Sequence, residues 1–317
     1  MKEGVKTTQL PIKPMSPISN EQIPVGDEWG YQLKWDGVRI LTFIQGGRVD
    51  LYSKKMILKN ETYPEIVQFF MNPVFQSILQ SKMKDSILLD GEMIVFDQDT
   101  QRPNFQKILQ REKNKSTIVQ NKYPVSYVLF DLLYLGGIDW RKKPYSKRYQ
   151  KLKTLFNETT SSLFVTDLFY DGHVLWDWVN KYQWEGIVSK RLSSSYQEGK
   201  KHNDWFKKKT ILYFDVKIVA ITTKGNLLSS LVMARDGYYF GKVSLGLNQQ
   251  WKETLLLYSK VHHSNDASFF PLPSDLKGDH MVWLKKPFPC KVKGLEITSY
   301  GVLRHPQIEY IDVNHLY

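Results

Sequence analysis

The chain has 317 residues and a formal net charge of +12, with 42% hydrophobic and 24% charged residues. This length favours two domains of ~100–200 residues, the composition excludes a mainly disordered chain, and the single cysteine, Cys290, excludes an intramolecular disulfide or a multi-cysteine zinc finger. No run approaches the roughly 20 apolar residues of a membrane-spanning helix, and residues 1–16 lack the apolar core of a secretory signal, so a soluble, cytoplasmic protein in a reducing environment is expected.

Residues 1–27 are spaced by Pro11, Pro14, Pro17 and Pro24 and read as an extended lead-in. Two short strands around a turn at Asp36-Gly37 follow over 29–44, with another strand over 49–53. Apolar residues at Ile66, Phe69, Phe70, Val74, Phe75, Ile78 and Leu79 predict helix, divided by Pro73. Residues 87–96 and 125–135 are apolar, rich in branched and aromatic side chains, and read as buried strands. Tyr149, Leu152, Leu155 and Phe156 form one helical stripe, and Val174, Leu175, Trp178, Val179 and Tyr182 form another. Both are expected to face the core.

After Thr210 the pattern changes to short strand-like segments over 211–222, 231–235 and 238–243, with a hairpin signal at Asp236-Gly237. A helix over 251–261 and strands near Val282, Val292 and Ile297 complete it. Five strands and one helix in about a hundred residues suit a small β-barrel such as an OB-fold. The expected division is therefore 1–210 and 211–317, with Cys290 a packed thiol.

The excess of basic residues favours a polyanionic partner. Residues 141–153 hold seven basic side chains and no acid, and residues 181–210 hold eight against Glu185, Glu198 and Asp204. His202 and Trp205 inside the second run point toward nucleic acid rather than a plain solvated face.

Four segments carry chemistry. Lys34-Trp35-Asp36-Gly37-Val38-Arg39 places a lysine at the end of an apolar strand. Such a lysine attacks as the neutral amine, and burial or neighbouring cations are expected to lower its pKa. Leu89-Asp90-Gly91-Glu92 and Glu185-Gly186-Ile187-Val188-Ser189-Lys190 put carboxylates at strand edges, where they suit a hydroxyl or a hard cation such as Mg²⁺. In Trp205-Phe206-Lys207-Lys208-Lys209 the two-residue strand period sets Lys207 and Lys209 on one face. No Walker loop or GxGxxG motif is present. Each segment alone reads as turn punctuation or a solvated charge run; their combination in this order does not.

Together these motifs resemble those of ATP-dependent DNA ligases of the covalent nucleotidyltransferase superfamily, most nearly the ligase module of bacterial ligase D. The resemblance extends from Pro24 to Pro306 and is most specific between Glu185 and Lys209; Tyr238-Tyr239-Phe240-Gly241-Lys242-Val243 adds a likeness to the family's barrel. It implies an α+β fold: a nucleotidyltransferase (adenylation) domain of antiparallel sheets and flanking helices, then a C-terminal OB-fold domain. It implies that Lys34 attacks the α-phosphate of ATP, that the AMP passes to a 5′-phosphate at a nick, and that a 3′-hydroxyl displaces it.

The resemblance also implies the roles of other residues. Gln32 reads the adenine amino group, Leu33 joins the nucleotide site, Phe130 stacks on the base, and Arg39 and Glu92 contact the ribose. Lys54, Lys190, Lys207 and Lys209 face phosphate, Glu92 and Glu185 hold Mg²⁺ (or Mn²⁺), Asp36 orients Lys34 or assists at the 3′-hydroxyl, and Arg304 serves from the barrel. The alternative for Phe130 is an ordinary core residue.

Two departures stand out. The family's Ser-Arg-Asn-Gly is replaced by Ser53-Lys54-Lys55-Met56, which keeps charge but loses the guanidinium fork. After Arg304-His305-Pro306, the family's Asp-Lys pair is replaced by Asp312-Val313-Asn314-His315, so either slower self-adenylation or substitution by another lysine is expected. The implied partner is nicked duplex DNA, with Ku-type end-joining factors by family analogy, no membrane and a monomeric state, in a bacterial or phage-type, nucleoid-associated setting. The rivals are an RNA ligase, a capping-type nucleotidyltransferase and a non-catalytic basic OB-type nucleic-acid binder.

Overall fold

The computed structural model describes residues 10, 13–73, 75–77, 86–157, 160–269, 271–298 and 300–312. Part of the expected lead-in, Val74, Ile78 and Leu79 of the expected helix, and the downstream Val313, Asn314 and His315 lie outside the described residues. The chain divides into two compact units, Met1–Thr210 and Ile211–Tyr317.

The first unit is built from strands β1 (Ile18–Ser19), β2 (Trp29–Leu33), β3 (Val38–Gln45), β4 (Arg48–Ser53), β5 (Ser86–Ile94), β6 (Ser126–Leu135), β7 (Leu163–Val165), β8 (Gly186–Arg191) and β9 (Trp205–Lys209). Its helices are α1 (Pro64–Met71), α2 (Phe105–Lys113), α3 (Thr117–Lys122), α4 (Tyr145–Leu155) and α5 (Gly172–Lys181). The larger sheet runs β7-β6-β5-β3-β4, with Ile138–Asp139 folding back onto β6, and the smaller runs β1-β9-β8-β2. Pairing is antiparallel except for β1 with β9 and β7 with β6.

Strand alternation makes the layers. In β3, Ile40 joins one cluster with Leu51, Leu89 and Leu129, covered by Ile66 and Phe70 of α1, Ile108 of α2 and Leu152 of α4. The next residue, Leu41, faces the opposite way, into a cluster with Leu88, Leu133, Tyr145, Tyr196 and Trp205 that joins the two sheets. The far face of the smaller sheet, through Trp29, Tyr31 and Ile187, packs on Leu175 and Val179 of α5. Each such apolar side chain contributes about 1.5–3 kcal/mol by leaving water.

Three expectations change. The turn at Asp36-Gly37 is not a hairpin, because β2 and β3 belong to different sheets and the turn carries the chain between them. The close approach there needs glycine: a Cβ on Gly37 would lie 2.2 Å from the Met93 carbonyl oxygen. The α5 stripe is only partly core. Leu175 and Val179 are buried, whereas Val174, Trp178 and Tyr182 are exposed on the other side, because apolar residues four apart fill two separate faces of this helix. In the basic run 141–153, Arg148 is wholly buried against Asp131 and Arg141 is paired with Asp139, so two of its cations are structural. Helix α1 ends at Asn72, whose extended ψ of 134° precedes Pro73.

In the second unit the sheet is formed by β10 (Leu212–Lys224), β11 (Leu227–Arg235), β12 (Tyr238–Val243), β13 (His280–Gly294) and β14 (Gln307–Ile311), with helix α6 (Gln249–Val261) between β12 and β13. Pairing follows β12-β11-β10-β13-β14, and the sheet's two ends meet where Leu245 bridges Gln307. Its interior holds Ile218, Leu231, Leu255, Phe288 and Val292, with Cys290 buried among them. Burial pushes the Cys290 thiol up to about 12. Among the described residues no helix is long and apolar enough to cross a membrane.

Candidate active site

The facing sides of the two sheets of the first unit enclose a cavity of about 490 Å³. Its floor is the smaller sheet, whose registers form three rows: Gly30–Lys190–Trp205, Gln32–Val188–Lys207 and Lys34–Gly186–Lys209. Successive rows lie ~7 Å apart, two residues along a strand. The third row closes tightly at Gly186, whose φ of +150° leaves no room for a Cβ, since one would fall 2.1 Å from the Lys208 carbonyl oxygen.

In that row Lys34 Nζ lies 2.6 Å from Glu185 Oε2, and Lys209 Nζ lies 2.7 Å from Glu185 Oε1. Burial pushes the Lys34 ammonium down, but the carboxylates of Glu185, Glu92 and Asp36 overcome it and hold the group above the ordinary lysine value. This reverses the expectation of a lowered pKa. The sequence could not show that Glu185, far along the chain, closes on the amine.

Glu92 reaches the cavity from β5. Burial, reinforced by Glu185 and Asp90, pushes its carboxyl up to about 8 against the pull of Lys34 and Arg39. Arg39 is fixed from behind by Asp90, with Nε–Oδ1 at 2.5 Å and Nη2–Oδ2 at 2.6 Å, while Tyr196 donates to the same carboxylate at 2.7 Å. The Arg39 guanidinium carbon lies 4.6 Å from the Phe130 ring centre. Phe130 is nearly buried, yet it lines the cavity beside Leu33 and Val188.

At the first row Lys190 is buried in an aromatic cage. Its Nζ lies 4.6, 4.4 and 4.2 Å from the Phe130, Tyr145 and Trp205 ring centres and donates to the Tyr145 hydroxyl at 3.2 Å. Burial pushes this amine down to about 7, against the pull of Asp131 and Asp90. Its setting is thus an apolar corner, away from the Lys34 end of the floor. Gln32 is also buried; its Nε2 makes no hydrogen bond of good geometry, although the amide is close enough to the Tyr145 hydroxyl to influence it.

Lys54, Lys200 and Lys207 form a separate cationic group along the cavity, and none has an ion-pair partner among the described residues. Burial lowers the pKa of Lys54, as do Arg39 and Lys200; burial likewise lowers that of Lys207, helped by Lys34, Lys209, Lys200 and Lys54. A cation cluster without counter-charge is ready for phosphate. Lys200 was not anticipated as a site residue. The available signal was Gly199, φ +76°, which turns the loop while its amide and carbonyl bond Lys13 and Ser16.

Met56, at the position where the resemblance implies glycine, takes a left-handed φ of +60°, and its side chain packs on the inter-sheet cluster. The second basic run is also less exposed than expected. Trp205 and His202 are buried, so neither is a surface platform for bases. Arg304 lies in the short strand Leu303–Arg304 of the second unit.

The described residues contain no cluster of three or more His, Cys, Asp or Glu side chains with metal-binding spacing. Glu185 nevertheless helps to raise the Glu92 carboxyl, and the Glu92 side chain has no hydrogen bond or ion pair among the described residues. Two such carboxylates do not make a protein cage for a cation. They fit a magnesium ion that draws its remaining ligands from water and phosphate.

A model of the ATP dependent DNA ligase domain family matches residues 14–209. A DNA ligase of Natronomonas pharaonis is 30% identical over 275 residues, covering 77% of this chain and 46% of that protein. The bifunctional non-homologous end joining protein LigD of Bacillus subtilis is 28% identical over 278 residues, covering 81% of this chain and 44% of its own length. The chain thus spans less than half the length of these two relatives. Among solved structures, a mycobacterial DNA ligase D complexed with ATP and MES matches with a TM-score of 0.56 and 28% identity, covering 95% of each chain. The ligase domain of M. tuberculosis LigD matches with a TM-score of 0.55 and 27% identity, covering 96% of this chain and 95% of that one.

Proposed function

The chain belongs to the ATP-dependent DNA ligase domain family, and on that premise we propose that it seals 3′-hydroxyl/5′-phosphate nicks in duplex DNA through a lysyl-AMP intermediate. The observation that carries the reading is the position of Lys34, at one end of a cavity with the Phe130–Gln32–Lys190 corner at the other and unpaired Lys54, Lys200 and Lys207 alongside.

In this reading the purine enters the apolar corner and the phosphates lie toward the third row. Lys34 Nζ first gives up a proton to solvent water, since an ammonium has no lone pair to offer. The neutral amine then bonds to the α-phosphorus as the bond to the β-phosphate oxygen breaks, releasing pyrophosphate. The adenylate passes to a 5′-phosphate as the P–N bond breaks, and attack by the 3′-hydroxyl oxygen on that phosphorus expels AMP. Lys207 and Lys209 offset charge building on the transferred phosphate, Arg39 is held for the sugar by Asp90, and Asp36 helps to orient Lys34. Glu92 and Glu185 would hold Mg²⁺, which when bound supplies Lewis-acid stabilisation of phosphate charge. A cation at Glu185 would also compete with the Lys34 ammonium for that carboxylate.

The second unit serves as the OB-type barrel, supported by its antiparallel sheet with meeting ends and its single helix between β12 and β13 among the described residues. Arg304 would act from this unit. The relatives named for non-homologous end joining favour double-strand break repair, with Ku-type factors as partners. The test is incubation with α-labelled ATP and Mg²⁺, denaturing electrophoresis, then nicked duplex. A labelled band discharged as the nick closes supports the reading. A pyrophosphate-treated protein that takes no label overturns it.

A further inference from the structure

The lysines at the cavity fall into two sets. Lys34 and Lys209 are held by the two oxygens of Glu185. Lys54, Lys200 and Lys207 line the cavity without an ion-pair partner among the described residues, and they come from both walls. Lys54 follows β4 of the larger sheet, Lys207 lies in β9 of the smaller, and Lys200 stands in the loop before β9. Like charges gathered from opposite walls repel unless an anion lies between them.

Lys54 and Lys200 are exposed, so a ligand in the cavity can reach both. Their backbones are fixed. Gly199 accepts from the Ser16 amide at 2.7 Å and donates to the Lys13 carbonyl at 3.0 Å, and His202 Nε2 donates to the Ser16 carbonyl at 3.1 Å. Lys54 leaves β4 in a tight turn, closed by the Met56 amide on the Ser53 carbonyl at 2.8 Å and the Ser53 amide on the Ile57 carbonyl at 2.9 Å.

The three lysines are not equivalent. Lys207 shares the middle row of the floor with Gln32 and Val188, one row from Lys34. The charge it feels most is that of Lys34, ahead of Lys209, Lys200 and Lys54. Lys54 feels Arg39 and Lys200 more than Lys34. Charge interaction weakens with distance, so Lys207 lies nearest the nucleophile while Lys54 and Lys200 form an outer pair. In phosphoryl-type transfer the leaving oxygen departs in line with the attacking atom, on the opposite side. With the α-phosphate beside Lys34 and Lys207, the rest of the triphosphate runs away from Lys34, toward the outer pair.

From this arrangement we infer that Lys200, together with Lys54, binds the β- and γ-phosphates of ATP and holds pyrophosphate as it leaves. The inference deepens the proposed function and rests on the reading of this cavity as an ATP site. Lys34 Nζ bonds to the α-phosphorus as the bond from that phosphorus to the β-phosphate oxygen breaks. The electron pair of the broken bond goes to pyrophosphate, where the two ammonium groups offset the added charge. Both lysines belong to the first unit, so the leaving group is held by the unit that carries the nucleophile.

The test uses the whole chain, freed of bound adenylate by pyrophosphate and then desalted. Calorimetry without divalent cation compares ATP with AMP, which shares the base, sugar and α-phosphate but lacks the tail. In Lys200→Ala, ATP should bind about tenfold more weakly, the scale of one hydrogen bond to a charged group, while AMP binds as in the parent. Lys200→Arg should recover most of the loss. With Mg²⁺ and the labelled protein adduct, the pyrophosphate concentration giving half-maximal discharge should likewise rise about tenfold in Lys200→Ala. DNA is absent from both measurements, so a contact made only to a nick moves neither.

Equal losses for ATP and AMP overturn the inference, because Lys200 then acts on the α-phosphate or on the fold. Unchanged ATP affinity with unchanged discharge overturns it as well and leaves Lys200 to DNA. A parent chain that binds no ATP at all instead overturns the reading of the cavity.

Discussion

Lys34 and Glu185 are 151 positions apart in the chain, yet their side chains meet at 2.6 Å. Glu185 also holds Lys209 on its second oxygen. The resting site is therefore a carboxylate between two ammonium groups, with the amine proposed as nucleophile kept in its unreactive, protonated form. Chemistry here begins with loosening that pair.

Lys34→Ala should abolish the labelled protein adduct completely. The measurement is denaturing electrophoresis after exposure to α-labelled ATP, and an adduct surviving in the variant would assign the nucleophile elsewhere.

Removing the carboxylate should make the amine more reactive. The Lys34 pKa is raised by Glu185, Glu92 and Asp36 against the opposing effect of burial, so the free-amine fraction at a given pH is below that of an ordinary lysine. In Glu185→Gln the pKa falls and that fraction rises. Modification of Lys34 at pH 9 by an amine-selective reagent, followed by peptide mapping of nucleotide-free protein, should be several-fold faster than in the parent; an unchanged rate would count against the electrostatic account.

Lys190 makes stability depend on pH with a definite sign. Its folded value of about 7 lies below the unfolded value of about 10.4, so the folded state binds this proton less readily. The associated stability is present above pH ~10 and is lost as pH falls toward about 7, where the folded amine itself protonates. Lys190→Met removes the penalty. Its melting temperature relative to the parent should therefore be most favourable near and below pH 7, with the advantage shrinking steadily toward pH 10. A difference that does not vary with pH would refute the assignment.

Lys54 and Lys200 are expected to contact phosphate. Replacing both with Ala should weaken binding to nicked duplex and flatten the plot of log K against log salt by about 1–2, from ~0.9 per phosphate contact. Fluorescence anisotropy over a salt series gives both quantities; an unchanged slope would remove these lysines from the DNA footprint.

Away from the cavity, Arg148 and Asp131 are both fully buried and paired at 2.7 Å. Asp131→Ala leaves the guanidinium uncompensated and should cost about 3–5 kcal/mol, read as a lowered urea midpoint. A loss under 1 kcal/mol would mean that the carbonyls of Lys143 and Ser194, which also accept from Arg148, suffice for the charge.

The buried strands, the Pro73 break and the same-face placement of Lys207 and Lys209 were legible in the sequence, because each follows from a local period or a backbone restriction. What could not be read was set by long-range closure. The charge state of Lys34 depends on Glu185, the orientation of Arg39 on Asp90, and the cage of Lys190 on Tyr145 and Trp205, each from a distant segment. The basic runs misled for a related reason. Local charge density cannot distinguish a solvated lysine from Arg148, whose partner lies in β6.

The alternation of β9 acts as a two-way address. Trp205, Lys207 and Lys209 are delivered to one side, while Phe206 packs on Trp29 and Lys208 covers Trp176 on the other. A slip of one residue would exchange the two sets and leave composition and net charge untouched. The segment is therefore open to conservative replacement at single positions but closed to any change in its length, so natural variants should differ there by substitution and not by insertion or deletion.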